Sequence, residues 1–170
     1  MDYFELLEKR HSIRSYTSQP VEDEKLHAIL QAANRAPSAG NLQAYEIYVV
    51  TDPARLQALA RAALDQTFIA QAPAALVFCA SPKRSSVRYG RRGTTLYCIQ
   101  DATIACAFAH LAAAALGLGS VWVGAFDEDG VRRVIGVWED LRPVAILPVG
   151  YSSEKPEITS RRQLSSLVHR

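Results

Sequence analysis

Lys9-Arg-His-Ser-Ile-Arg-Ser-Tyr16 is the stretch on which the reading of this chain turns. In an extended segment alternate side chains project to the same side, so Arg10, Ser12 and Arg14 bring two guanidinium forks and a hydroxyl to one small volume. An arginine fork matches phosphate oxygens, and two cations held together without a counter-charge are costly, so such a volume suits a bound phosphate or carboxylate. Read in isolation, the same residues also fit solvated charges just past a helix, because motifs this short recur by chance.

The segments on either side predict alternating elements. Asp2 and Glu5 have the spacing of a capping box, and Phe4 and Leu7 give a short amphipathic helix ending near Lys9. Past Pro20, the apolar residues Leu26, Ile29, Leu30 and Ala33 keep the helical period until Pro37. Residues 47–50 read as a short strand, Asp52-Pro53 as an N-cap and first-turn proline opening a helix through Leu56, Leu59, Ala60 and Ala63, and residues 74–80 as a buried strand. Asp101 opens a run of small apolar residues reaching Gly117, which predicts a central helix packed on several sides and ended by that glycine. Residues 120–124 read as a third strand, Asp127 as the cap of a short helix carrying Val131, Val134 and Ile135, and residues 143–150 as a fourth strand. The polar tail finishes in Leu164, Leu167 and Val168, an apolar end of the kind that docks on its own domain or on a partner subunit.

A chain of 170 residues is long enough for one proper core, and no compositional shift marks a linker, so residues 1–170 are expected to form a single domain. The start is amphipathic and charged, and no stretch is expected to reach membrane-spanning length without a polar break; the expectation is a soluble, cytoplasmic protein with no membrane partner. A net charge of +2 gives no argument for nucleic acid. Cys79, Cys98 and Cys106 are odd in number and lack metal-like or redox-like spacing, so they read as small buried apolar residues in a reducing compartment, with no metal site expected.

The chain has no Gly-x-Ser-x-Gly elbow, no His-Glu-x-x-His, no P-loop and no Cys-x-x-Cys. His27 and His110 fall inside predicted helices and read as core or surface residues rather than ligands. Gly117-Leu-Gly119 with Gly124 has the outline of a dinucleotide fingerprint, yet it follows a helix and precedes a strand, the reverse of what the pyrophosphate turn needs. Two further polar clusters matter more. Ser38, Asn41 and Gln43 in Pro37-Ser-Ala-Gly-Asn-Leu-Gln43 can offer hydroxyl and amide groups to a polar heterocycle, although an ordinary helix-ending loop has the same composition. Arg161-Arg162, in the tail, would complete an anion cage with Arg10 and Ser12.

In that order, Arg10-His-Ser-Ile-Arg14, the Pro37–Gln43 motif, the helix opened by Asp101 with Gly-Leu-Gly at its end, Val123-Gly-Ala-Phe126, Val149-Gly-Tyr151 and Arg161-Arg-Gln-Leu164 resemble the nitroreductase family of flavin-dependent oxidoreductases, over essentially the whole chain. The resemblance implies an α+β fold with a central, mostly antiparallel sheet flanked by helices, and an intertwined homodimer with FMN at the subunit interface. It further implies NADPH or NADH as electron donor and a small acceptor such as a nitroaromatic or quinone, visited in ping-pong order. No catalytic side chain is implied, because the flavin carries the hydride chemistry and the protein positions donor and acceptor.

Carried onto this sequence, the resemblance places Arg10 and Ser12, with His11 between them, at the FMN phosphate and ribityl chain, and Arg14 toward the pyrimidine edge. Pro37, Ser38 and Asn41 of the other subunit, with Gln43, would line the ring. Gly124 and Ala125 would approach N5 through the backbone, and Arg161 with Arg162 would complete the phosphate site. The chain departs from many relatives in carrying Ala44-Tyr45 after Gln43, where a proline and an aromatic residue are common, and Thr159 where the tail often has a basic residue. It also lacks room for the helices that roof the flavin in longer relatives.

Between Ser81 and Tyr97 stand Lys83, Arg84, Arg88, Arg91 and Arg92 with no acidic residue. This stretch is read as a loop, either a mobile lid favouring an anionic partner such as NADPH or a plain solvated loop; it lacks the interleaved aromatics of a nucleic-acid surface apart from Tyr89 and Tyr97. A flavin-storing protein, or an enzyme that consumes reduced flavin as a substrate, is the alternative to a generic reductase.

Overall fold

In the computed structural model, which describes residues 2–138 and 140–169, the strand β2 (Ala74–Ala80) is buried along its whole length. It pairs antiparallel with β1 (Tyr45–Val50) on one side and with β4 (Arg142–Gly150) on the other, and β4 pairs antiparallel with the short β3 (Gly119–Ser120), giving the order β1-β2-β4-β3. Alternate residues of a strand face opposite sides. Leu76, Phe78 and Ala80 join Ala145, Leu147 and Val149 in a core completed by α2 (Asp23–Asn34) and α6 (Cys98–Ala115). Ala75, Val77 and Cys79 join Ile146 in a second core under α3 (Pro53–Ala62), α4 (Phe68–Gln71) and α7 (Glu128–Ile135). Helices cover both faces, so the central strands read as unbroken apolar runs even though the sheet is antiparallel. This is the α+β architecture the resemblance implies.

Local chemistry sets several boundaries as the sequence predicts. Asp2 and Glu5 close a capping box on α1 (Tyr3–Lys9), Asp52 caps α3 ahead of Pro53, and Asp127 accepts the N–H groups of Asp129 and Gly130 to start α7. Gly117 ends α6 in the left-handed region at φ +75°, with Leu118 N–H returning to the Ala113 carbonyl.

Two expectations need correction and two are narrowed. The basic stretch is no loop: Pro82 opens α5 (Pro82–Arg92), and a π turn over Gly93–Tyr97 carries the helix into α6, so α6 starts at Cys98 and Asp101 lies within its first turn. The cations concealed the helix, since charge dominates the composition while Pro82 at the first turn is a genuine start signal. The strand expected at residues 120–124 shrinks to Gly119–Ser120 plus one bridge. Ile146 exchanges both backbone hydrogen bonds with Val123, and two residues on the same edge of β4 presents Pro148, which has no N–H to give Val121. The helical run Pro82–Ala115 is, by length and composition, long and apolar enough to cross a membrane; Asp101 and His110 interrupt its apolar part, and its buried face packs on β2, β4 and α2 as a core helix does. The apolar tail end does not dock on its own chain, for Leu164, Leu167 and Val168 are all exposed.

Candidate functional site

Residues 10–17 run extended along the β3–β4 end of the sheet. Ser12 bridges Ser120, Ile13 N–H donates to the Ser120 carbonyl at 3.1 Å, and Thr17 N–H donates to the Tyr151 carbonyl at 2.8 Å. Ile13 and Tyr16 are buried, and the Tyr16 hydroxyl donates back to the Ile13 carbonyl at 2.6 Å. With Ile13 fixed inward, the pleat turns Ser12 and Arg14 outward and leaves Arg10 half-buried. The alternation read from the sequence is therefore the geometry of the segment.

That outward side opens on a cleft of about 470 Å³ lined by Arg10, His11, Ser12 and Arg14 from the start of the chain and by Glu154, Lys155, Glu157, Thr159 and Arg161 from its tail. Such a volume lies within the range of small-molecule sites. Four cations face two carboxylates. Burial, and then the charge of Arg161, lower the pKa of Arg10, so two cations from opposite ends of the chain are close enough to repel. Among the described residues Arg10 has no carboxylate partner. Thr159 is an acceptor here, taking a hydrogen bond from Arg161 Nη1 at 2.8 Å. Arg162 is not among the lining residues and donates instead to the Ser166 carbonyl at 2.9 Å.

The second expected group sits elsewhere in the chain. Pro37 and Ser38 line a pocket of about 460 Å³ with Tyr97, Gln100, Asp101, Thr103 and Ile104 of the helical run. Ser38 Oγ accepts the Gln43 N–H at 3.0 Å, and Gln43 Nε2 donates to Asn41 Oδ1 at 3.2 Å, so these side chains also hold their own loop. Gly40, Asn41 and Gln43 all have positive φ, which glycine adopts freely but which for Asn41 and Gln43 is a sparsely populated conformation that persists only where the surroundings impose it. α5 imposes it from above, since Arg84 donates to the Leu42 carbonyl, and a Cβ at Gly40 would collide with the Tyr89 hydroxyl. Asp101 imposes it from below, accepting the N–H groups of Ala39 and Ala44.

Gly124 and Ala125 form a third, exposed group. Gly124 borders a pocket of about 230 Å³ with Ile99, Phe126, Glu128 and Arg142, and the Ala125 carbonyl accepts from Gln66 Nε2 at 3.0 Å. The φ of Gly124 is not positive; the missing Cβ opens the surface beside Trp122 rather than relaxing the backbone.

One chain thus does not bring all the expected residues together. The loop is anchored by Asp101 and the cleft by His110, which contacts Arg10. They stand nine positions apart on α6, about 13.5 Å of rise and two and a half turns, so the two anchors leave the helix on opposite sides. Sequence reasoning missed both: Asp101 was expected to open the helix and His110 to be an ordinary core or surface residue, and the available signal was one acid and one imidazole inside an otherwise apolar run. The three thiols offer no alternative chemistry. All are buried, and burial pushes the Cys79 pKa up to about 12 and raises those of Cys98 and Cys106. Among the described residues no His, Cys, Asp and Glu cluster could hold a metal ion.

Comparison with known proteins gives one consistent picture. The model of the Nitroreductase family matches residues 7–151. A protein of Archaeoglobus fulgidus described as a putative NADH dehydrogenase/NAD(P)H nitroreductase is 34% identical over 152 residues, covering 87% of this chain and 84% of its own. The solved structure of B. megaterium NfrA2 superimposes with a TM-score of 0.91 at 31% identity, over 98% of this chain and 73% of that one. An FMN-dependent nitroreductase from Clostridium difficile R20291 superimposes with a TM-score of 0.83 at 31% identity, over 97% of this chain and 96% of that one.

Proposed function

The chain belongs to the nitroreductase family, and from that premise we propose that it is an FMN-dependent oxidoreductase, passing reducing equivalents from NAD(P)H to a small acceptor such as a nitroaromatic or quinone. The observation that carries the reading is the meeting of Arg10 and Arg161 in one cleft, two guanidinium groups with Ser12 beside them and an excess of positive charge. That donor set fits the dianionic phosphate of FMN. FMN, when bound, supplies the hydride chemistry.

The chain supplies binding and electrostatics. Arg10, Ser12 and Arg161, with His11 alongside, would hold the phosphate end, and Arg14, lining the same cleft, would add a cation that favours an anionic flavin. The loop from Pro37 to Gln43 reaches the ring from a second copy, and Gly124 and Ala125 present backbone without bulk. The separation of loop and cleft around α6 supports this division between two copies. So do the apolar side chains left on the surface: Tyr3 and Phe4 on α1, Phe108 on α6, and Ile158, Leu164 and Leu167 on the tail. A shared site of this kind calls for an obligate interface, on the order of 2,000 Å² or more.

The test is direct. The purified protein is expected to be yellow with a flavin spectrum, to sediment as a dimer, to bleach with NADPH or NADH without oxygen, and to recover its colour on adding a quinone or nitroarene. Parallel double-reciprocal lines are expected from the ping-pong order. A monomer that holds flavin, or a flavin that neither nicotinamide bleaches, overturns the reading.

A further inference from the structure

Arg10 is held before any ligand arrives. Its Nη1 lies 2.9 Å from His110 Nε2, and His110 Nδ1 lies 2.6 Å from Ser120 Oγ. A guanidinium can only donate, so Nε2 is the acceptor; the ring proton then sits on Nδ1 and is donated to the Ser120 hydroxyl. His110 on α6 and Ser120 on β3 are both buried, at 8% and 2% exposure, so the pair is a fixed part of the core rather than a mobile surface contact. Ser120 also accepts the Ile13 N–H through its carbonyl. One β3 residue therefore ties the extended segment twice, by its backbone and, through His110, by the side chain of Arg10.

We infer that His110 is the positioning residue of the phosphate site, a neutral imidazole that fixes the fork of Arg10 so that its remaining N–H groups face the cleft. The choice of residue type follows from charge. Arginine has extensive rotamer freedom, and fixing it in advance removes an ordering cost from ligand binding. An aspartate or glutamate at this point would also fix the fork, but would cancel the charge the phosphate needs. A neutral acceptor fixes the fork and leaves the charge intact. Burial and the neighbouring Arg10 charge lower the His110 pKa to about 4, which keeps the imidazole uncharged at neutral pH.

This inference rests on the reading that the FMN phosphate lies at Arg10, and the experiment separates the two. Flavin-free protein is titrated with FMN and with riboflavin, which lacks the phosphate, following quenching of flavin fluorescence. His110→Asn keeps a donor for Ser120 but cannot reach Arg10; His110→Gln can place its carbonyl where Nε2 stands. The expected result is an FMN Kd raised about tenfold in His110→Asn, at the lower end of what a hydrogen bond to a charged group is worth. Riboflavin affinity should stay unchanged, and His110→Gln should recover most of the FMN affinity. A wild type that prefers FMN, with Arg10→Ala losing that preference and His110→Asn keeping it, overturns the role of His110. Equal weakening of FMN and riboflavin also overturns it, because a merely structural residue would act on both. A wild type with no preference for FMN over riboflavin overturns the phosphate reading itself.

Discussion

Asp101 Oδ1 accepts the backbone N–H of Ala39 at 2.9 Å, tying the first turn of α6 to a loop 62 positions earlier in the chain. Oδ2 takes the Ala44 N–H at 3.2 Å, so one buried carboxylate spans both ends of the strained turn. The substitution Asp101→Asn keeps the volume but turns one acceptor into a donor facing an N–H. Leaving a buried N–H without an acceptor costs about 2 kcal/mol, which for a chain of this length corresponds to a fall in Tm of about 4–8 °C. Thermal melting with limited proteolysis across residues 37–43 checks this, and a variant with unchanged Tm and protection would mean that α5 alone holds the loop.

Arg10 and Arg161 are close enough to repel each other, and both are proposed to hold the same phosphate, so removing one should move stability and binding in opposite directions. Arg161→Ala is expected to leave the flavin-free protein as stable as wild type or slightly more so, within about 0.5 kcal/mol, because Arg161 is exposed. Its FMN affinity should fall, and the salt dependence of binding should weaken, since one cation fewer faces the ligand. Urea unfolding and FMN titration at two ionic strengths read the two effects separately. Loss of stability together with unchanged binding would mean the tail arginine serves the fold instead.

Much of this arrangement is legible in residue order, for identifiable reasons. Capping chemistry is local, so Asp2, Asp52 and Asp127 announce their helices, and the alternation of Arg10, Ser12 and Arg14 around the apolar Ile13 states which side of an extended segment faces out. Long-range pairing is not local. Nothing near β2 says that it lies between β1 and β4, and the short β3 follows from Pro148, some thirty residues further along the chain. α5 escapes because five cations dominate its composition and Gly90 breaks it near the end, at φ +51°. Asp101 and His110 escape for a deeper reason: an isolated polar residue in an apolar helix reveals its role only when its hydrogen-bond partner, here a loop amide or Arg10, has been brought to it by the fold.

His110 also predicts an acid sensitivity with a definite sign. Its pKa is lowered from 6.5 to about 4 in the folded chain, so between those values the unfolded state binds the proton and the folded state does not. Stability is therefore lost as pH falls from 6.5 toward 4, by up to about 3 kcal/mol. His110→Gln lacks this contribution while keeping every titrating carboxylate. Urea denaturation of the flavin-free proteins at pH 7, 5.5 and 4 should show the variant gaining on wild type as the pH drops. A constant difference across the series would mean that the imidazole takes up its proton in the folded state as readily as in the unfolded one.

The basic face of α5 bears on the choice between NADPH and NADH. A helix presents its cations at fixed positions, and here two are steadied on rings: the Arg88 guanidinium stands 5.6 Å from the Tyr89 ring centre and that of Arg92 5.3 Å from Tyr97. Arg84 is already committed to the Leu42 carbonyl of the Pro37–Gln43 loop, which places the patch beside the residues proposed to line the flavin. NADPH differs from NADH by one phosphate, so neutralising the patch should penalise NADPH selectively. In a triple variant, Arg88→Gln, Arg91→Gln and Arg92→Gln, the KM for NADPH is expected to rise about tenfold relative to that for NADH, from three surface interactions of modest strength acting together. The discrimination in wild type should also shrink as salt is raised, because the patch is exposed and its field is screened. A ratio of the two KM values that the triple variant leaves unchanged would assign these arginines to their tyrosine contacts and to solvent, and would place selection between the nicotinamides elsewhere.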